Sequence, residues 1–175
     1  MTVLVGYASA HGSTREIAER IGARLAESGC RADVRPLDDG TAVDGYTAFV
    51  LGSAVHNRRW LPEAAAFLRR HCDTLVHGRV WAFSVGMPAA LRGPWRRFAW
   101  REEAIVLDAL VPLPGLCGHR LFSGVVTREQ LGRVGTLALR LLGGHTGDYR
   151  DWDAIDAWAA EIAETLMAAG KAPGR

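Results

Sequence analysis

Residues 9–14, Ser-Ala-His-Gly-Ser-Thr, place hydroxyl side chains and a glycine directly after a short apolar run. If a helix begins at the end of this segment, backbone N–H groups point to a common centre there, and the helix dipole adds partial positive charge. Ser9, Ser13 and Thr14 can donate further hydrogen bonds, while Gly12 lets a ligand approach the backbone closely. This combination predicts a binding site for a phosphate monoester. A second interpretation stays open, in which Ser13 does no more than cap the helix.

Two well-known phosphate-binding motifs are absent from this segment. A P-loop needs the pattern GxxxxGK followed by Ser or Thr, but five residues separate Gly6 from Gly12 and no lysine follows. The dinucleotide pattern GxGxxG is missing as well. Phosphate binding is therefore expected to depend on backbone amides and hydroxyls.

A second polar segment, residues 52–60, follows a predicted strand and begins with Gly52 and Ser53. It also gathers His56, Asn57, Arg58 and Arg59. An arginine in such a position can stabilise a negatively charged ring system or meet an acidic substrate group. Trp60 can cover the face of a ring or dock a helix, and both interpretations stay open.

A third segment, residues 84–88, follows another predicted strand and contains Gly86. The backbone around a glycine can present N–H and C=O groups to the edge of a planar heterocycle. The signal is general, because glycines are frequent where strands lead into loops.

The elements that must position these segments alternate between short apolar runs and amphipathic stretches. Strands are predicted at residues 3–7, 31–35, 48–51, 80–85 and 121–126, and helices at 14–28, from Pro62 onward, around 103–110, at 131–142 and at 153–167. The alternation predicts an α/β fold, a doubly wound sandwich with a five-stranded parallel sheet in the order 2-1-3-4-5. Ligands of such sheets bind beyond the carboxyl ends of the strands, which is where the three polar segments lie.

Length and composition are those of one globular domain, with 175 residues, 49% hydrophobic and 23% charged. We expect this domain to span residues 1–175, with 170–175 as a frayed tail. A net charge of +2 argues against nucleic-acid binding and differs from the acidic surface usual in small electron shuttles. The three cysteines form no CxxC pair, so free thiols are expected and no metal site is predicted. Without an export signal or a run of about 18 apolar residues, a cytoplasmic location is expected.

The segment from Arg92 to Arg101 has an unusual composition, because four arginines interleave with Trp95, Phe98 and Trp100. It can contact an anionic membrane surface, which would make the protein peripheral on the inner face of the cell membrane. It can also form a lid that attracts carboxylates, or an ordinary helix face with inward aromatic residues. These interpretations stay open.

With these residues in view, the chain resembles the flavodoxin superfamily. Residues 9–14, followed by Ile17 and Ala18, are similar to the hydroxyl-x-x-Gly-x-Thr phosphate loop of flavodoxins. Within the superfamily the chain most resembles the menaquinone-dependent protoporphyrinogen oxidases. The segments that carry this finer resemblance are 12–18, 52–55 with Trp60, 83–85, 139–144 and Asp151-Trp152.

The resemblance implies a flavodoxin-like fold and FMN as the cofactor. The implied phosphate contacts are Ser9, Ala10, His11, Gly12, Ser13 and Thr14. The implied isoalloxazine contacts are Ser53, Ala54, Val55, His56, Asn57, Ser84, Val85, Gly86 and Met87. Arg58, Arg59 and His56 are the candidates for a catalytic or substrate-binding role, the arginines through bidentate pairs with carboxylates.

The activity implied is that of an FMN-dependent dehydrogenase. It would oxidise protoporphyrinogen, or a similar substrate, and pass electrons to a quinone or another acceptor. One alternative is a flavodoxin-like electron carrier without its own substrate. Another is a domain that keeps the fold for binding or regulation without redox turnover.

Overall fold

The computed structural model of the chain describes residues 1–86, 115–141 and 144–171. Its strands are β1 (Thr2–Ala8), β2 (Arg31–Pro36), β3 (Ala48–His56), β4 (Arg59–Trp60), β5 (Arg79–Gly86), β6 (Leu116–Ser123), β7 (Val125–Val126) and β8 (Gly147–Asp148). Its helices are α1 (Ser13–Glu27), α2 (Pro62–Arg70), α3 (Cys72–His77), α4 (Arg128–Leu141) and α5 (Trp152–Lys171). The predicted helix at 103–110 and the segment from Arg92 to Arg101 lie outside the described residues.

Five parallel strands form the main sheet in the order β2-β1-β3-β5-β6. The apolar run in β1 is buried on both faces, as expected for a central parallel strand. The predicted fold class and strand order are therefore confirmed, with β5 and β6 as the predicted fourth and fifth strands.

The predicted bounds of the last strand, 121–126, are wrong at both ends. Strand β6 begins five residues earlier, at Leu116, and ends at Ser123. Most of its residues are half-buried or exposed because it lies at the edge of the described sheet, and its first half is not an apolar run. Beyond Gly124, β7 pairs antiparallel with β8 in a separate two-stranded sheet.

The prediction of a loop at residues 52–60 is wrong for the first half of that segment, because β3 continues to His56. Asn57 and Arg58 form a two-residue turn, and Arg59–Trp60 returns antiparallel to β3. Both turn residues have positive φ, 50° and 62°, as a type I′ hairpin requires. The turn lacks the glycine that usually marks this geometry, so the sequence pattern does not reveal it.

Apolar helix faces cover both sides of the sheet. On one side α1 and α5 pack against the strands through the predicted stripes Ile17, Ile21 and Leu25, and Ile155, Trp158, Ile162 and Leu166. On the other side α2 and α3 contribute Ala64, Phe67 and Leu75. The sheet is thus fixed from both faces, which sets the positions of the loops at its carboxyl edge.

Among the described residues, no helix combines the length and apolarity that a membrane span requires.

Candidate functional site

The strand register brings the three polar segments to one edge of the sheet. Ala8 at the end of β1 lies opposite Ser53 in β3, and Ser53 lies opposite Ser84 in β5. Strand β1 ends at this level, and β3 and β5 continue for three and two more residues, so all three strands end at the same edge of the sheet. This is the carboxyl edge, where parallel sheets bind ligands.

The turn between β1 and α1 keeps its backbone accessible. Residues 9–12 connect the strand to the helix, which begins at Ser13. Gly12 has a φ of 93°, a left-handed conformation that favours glycine. Among the described residues, a Cβ atom built on Gly12 would meet only Glu16 Oε1, at 3.9 Å. The described part of the chain therefore leaves open space in front of Gly12.

Hydrogen bonds within this turn leave amides at the start of α1 available. The first bond of the helix runs from the Glu16 N–H to the Gly12 carbonyl, at 3.0 Å. The N–H groups of Ser13, Thr14 and Arg15 consequently have no acceptor inside the helix. The Gly12 N–H donates to Ser9 Oγ at 3.0 Å, so the Ser9 side chain closes the loop while its own hydroxyl hydrogen stays available.

Thr14 has a buried hydroxyl that the described residues leave without a hydrogen-bond partner. Its side chain is fully buried, and its Oγ1 is unpaired within the described part of the chain. A buried polar group without a partner costs about 1–3 kcal/mol, which a ligand oxygen would recover. An unpaired hydroxyl beside free amides and an open glycine fits a phosphate group. Ala10 and His11 are exposed in the same turn.

The hairpin of β3 and β4 carries the second predicted group. His56, Asn57, Arg58 and Arg59 are exposed, whereas Ala54 and Val55 are half-buried. Ser53 is fully buried, and its Oγ accepts the Leu61 N–H at 3.0 Å and donates to the Ala54 carbonyl at 2.9 Å. The Ser53 side chain thus secures the chain that follows the hairpin. Contact between this group and a flavin ring stays a prediction.

Ser84 belongs to a hydrogen-bonded chain through the interior. The Trp60 Nε1–H donates to Ser84 Oγ at 2.8 Å, and Ser84 Oγ lies 2.9 Å from His119 Nε2. An indole can only donate, so Ser84 Oγ accepts from Trp60, while the direction of its bond with His119 Nε2 is set by the imidazole tautomer. Burial lowers the pKa of His119 to about 4, which keeps the imidazole neutral near pH 7.

These contacts favour the docking interpretation of Trp60. The indole is 8% exposed, is held by Ser84, and lies in the core cluster that contains Ala64 and Phe67 of α2. Contact of Trp60 with a flavin ring stays a prediction. Neither His119 nor the chain of bonds could be found from sequence, because no local motif marks them.

The last predicted ring contacts lie at the end of β5. Val85 is buried in the core, and Gly86 is half-buried. The Gly86 carbonyl accepts the Gly124 N–H at 2.9 Å. Met87 lies outside the described residues. Contact of these residues with a flavin also stays a prediction.

A cluster around Arg150 borders the start of α1 and was missed by sequence reasoning. The Arg150 guanidinium pairs with Glu16 of α1 and with Asp148 of β8, the second pair at 2.6 Å. It also lies over the Trp152 ring, 4.7 Å from its centroid. The hydrogen bonds that Arg150 donates to Asp148 and Glu16 raise the pKa of Arg150, and those that Asp148 accepts lower the pKa of its carboxyl group.

Comparison with known proteins gives a family match over most of the chain. The family described as Flavodoxin domain matches residues 4–151. Rubredoxin oxygen:oxidoreductase from Desulfovibrio gigas superposes with a TM-score of 0.66 at 17% identity, over 98% of this chain and 37% of that one. Oxidised Flavodoxin 2 from Bacillus cereus gives 0.61 at 19% identity, over 94% and 99%. A flavodoxin from the domain Archaea gives 0.54 at 19% identity, over 95% and 99%.

The comparisons differ in what they support. A search of curated proteins found no match. The solved structures show the fold, because their identities to this chain are low, and this chain spans just over a third of the Desulfovibrio oxidoreductase. The family and fold matches support the resemblance to the flavodoxin superfamily. They do not support the finer resemblance to protoporphyrinogen oxidases.

Proposed function

Because the chain belongs to the flavodoxin domain family over residues 4–151, we propose that it binds FMN and acts in electron transfer. The observation that carries this proposal is the turn before α1. There the buried Thr14 Oγ1 has no partner among the described residues, and the left-handed Gly12 leaves open space. A phosphate monoester supplies the oxygens that these groups lack.

Each part of the carboxyl edge has a separate task in this proposal. The amides of residues 13–15 and the hydroxyls of Ser13 and Thr14 hold the phosphate. The exposed end of the β3–β4 hairpin and the backbone at Gly86 border the ring. The chain of bonds from Trp60 to His119 fixes the hairpin relative to β5. FMN, when bound, supplies the redox chemistry, while these residues position it and limit access of water.

We favour an electron carrier over a dedicated enzyme. The flavodoxins that superpose on this chain are matched over 99% of their own length, so these residues contain a whole domain of the flavodoxin kind. Oxidation of a porphyrinogen-like substrate and reduction of a quinone remain a second proposal. The exposed Arg58 and Arg59 favour it, because arginines at the hairpin can pair with substrate carboxylates. Membrane contact through Arg92 to Arg101 belongs to the same proposal.

Purified protein tests the proposal directly. We expect flavin absorption before any cofactor is added, and tighter binding of FMN than of riboflavin in titrations of the stripped protein. Protein that is isolated without flavin and does not bind added FMN would refute the proposal and favour a non-redox role.

Assay with protoporphyrinogen and a menaquinone analogue separates the two redox proposals. If the protein is a carrier, the reaction gives no more porphyrin fluorescence than a control reaction in which free FMN replaces the protein. Catalysed appearance of porphyrin fluorescence, dependent on bound FMN, would establish the enzyme instead.

A further inference from the structure

Glu16 places a negative charge beside the proposed phosphate site. It lies in the first turn of α1, and its Oε1 is 3.9 Å from the position of a Cβ on Gly12. A carboxylate there stabilises the bare helix, because it faces the positive end of the dipole. It also repels a phosphate monoester, which carries nearly two negative charges at neutral pH.

Arg150 supplies the charge that opposes Glu16. Its Nη1 pairs with Glu16, while its Nε and Nη2 contact the two carboxylate oxygens of Asp148 at 2.9 and 2.6 Å. The Arg150 side chain is only 12% exposed, so solvent screens these contacts less than it would screen a surface pair. The three groups together carry a charge of −1, and they would carry −2 without the guanidinium.

Backbone contacts hold Arg150 in place at the start of α1. The Tyr149 N–H donates to the Gly124 carbonyl at 3.2 Å, and the Gly124 N–H donates to Gly86 at the end of β5. A Cβ on Gly124 would lie 3.0 Å from Ser13 Oγ. Gly124, just before β7, therefore packs against the first residue of the helix, and its bond with Tyr149 fixes the chain that leads to Arg150.

We propose that Arg150 is the counter-ion of the phosphate site and makes it selective for a phosphorylated flavin. By neutralising Glu16, it allows the start of α1 to accept a dianion. This inference rests on the proposed binding of FMN. Arg150 acts through Glu16, so its role is that of a positioning residue.

A charge cycle measured with FMN and riboflavin tests the inference. R150Q should weaken FMN binding on the order of 10- to 100-fold, because the charge of Glu16 is no longer balanced. Riboflavin, which lacks the phosphate, should change by less than roughly threefold. E16Q should bind FMN as tightly as the wild type or more tightly. The double variant E16Q/R150Q should recover to within roughly fivefold of the wild type.

Matched variants separate charge from folding. R20Q removes the same charge from α1, where Arg20 pairs with Asp156 of α5, and should leave FMN affinity unchanged. R150K keeps the charge but loses the forked contact with Asp148, so its affinity for FMN should exceed that of R150Q. Thermal unfolding of each variant shows whether it is folded. If R150Q is not folded, the single variants R150K and E16Q carry the test.

The outcomes distinguish this inference from the proposed function. Equal losses of FMN and riboflavin affinity in R150Q, or no recovery in the double variant, would assign Arg150 a purely structural role and overturn the inference. A wild-type protein that binds no FMN would overturn the proposed function as well. Selectivity for FMN that persists in R150Q would overturn the inference alone.

Discussion

Gly12 and Thr14 make complementary contributions at the start of α1. Gly12 adopts a φ of 93° with open space around it, so ligand atoms can reach the backbone. Thr14 is fully buried two residues later, and its Oγ1 has no partner within the described residues. One residue provides access and the other an unused hydrogen-bonding group. A helix cap alone would require neither.

Replacing both residues with valine tests this assignment. We expect G12V/T14V to lose FMN affinity by at least about 100-fold, because a hydroxyl is removed at position 14 and a side chain enters the site at position 12. Circular dichroism should show that the fold is retained.

Gly29 offers a matched control at the other end of α1. Its φ is 85°, and no atom of the described residues lies within 4 Å of a Cβ built on it. G29V therefore introduces a similar backbone strain, about 1–2 kcal/mol, away from the proposed site. Its FMN affinity should match that of the wild type. Flavin content in G12V/T14V equal to that in G29V would show that the phosphate lies elsewhere.

The β3–β4 hairpin is the element whose backbone is under strain. Asn tolerates the left-handed conformation at position 57, but Arg58 adopts it with a full side chain. The element is held from within by Ser53, which binds the Leu61 N–H, and by Ser84, which binds Trp60. Interior contacts therefore keep a turn that its own residues disfavour, as is frequent at functional sites.

Comparison of R58G with R58A isolates this strain. Both variants remove the side chain and its interactions, but only glycine adopts a positive φ without cost. We expect R58G to be more stable than R58A by about 1 kcal/mol, measured by urea unfolding. Equal stabilities would mean that the turn is not left-handed at this residue in solution.

At the scale of the molecule, the main sheet separates two apolar layers. A chain of hydrogen bonds between polar side chains also runs through this interior. Trp60, Ser84 and His119 come from β4, β5 and β6, so the chain links the hairpin to the last strand of the described sheet. Burial lowers the pKa of His119 from 6.5 to about 4, so the imidazole in this chain of bonds is neutral near pH 7. The stability of the whole molecule is therefore coupled to pH.

The sign of this coupling follows from proton uptake. Between pH 6.5 and about 4 the unfolded chain binds a proton on His119 that the folded protein does not. The contribution of the neutral His119 to the free energy of unfolding is complete above pH 6.5 and declines as the pH falls. Because the residue is partly exposed, we expect a loss of about 2 kcal/mol over this window. The pKa of His71 is also lowered by burial, which adds in the same direction.

The variant H119Q shows how much of this pH dependence of the free energy of unfolding comes from His119. Glutamine can still accept from Ser84 but does not titrate, so the free energy of unfolding should decline less steeply with falling pH than in the wild type. H77Q, at the exposed end of α3, removes a surface imidazole as the matched control. Identical pH profiles for H119Q and the wild type would contradict a neutral buried His119.

Local patterns in the sequence were sufficient for the fold class, the strand order and the turn before α1. Central parallel strands are buried on both faces and so appear as apolar runs, as in β1. Helix stripes such as Ile17, Ile21 and Leu25 repeat every four residues. The turn at residues 9–14 joins two such elements, so its position follows from theirs.

Tertiary structure alone decided which side chains meet at the carboxyl edge. Ser84 binds Trp60 from 24 residues away, and Arg150 binds Glu16 from 134 residues away. No local periodicity links such pairs, because their approach depends on how strands align and helices pack. The hairpin at Asn57 and Arg58 was hidden for the same reason, since distant contacts stabilise a turn that its own residues do not favour.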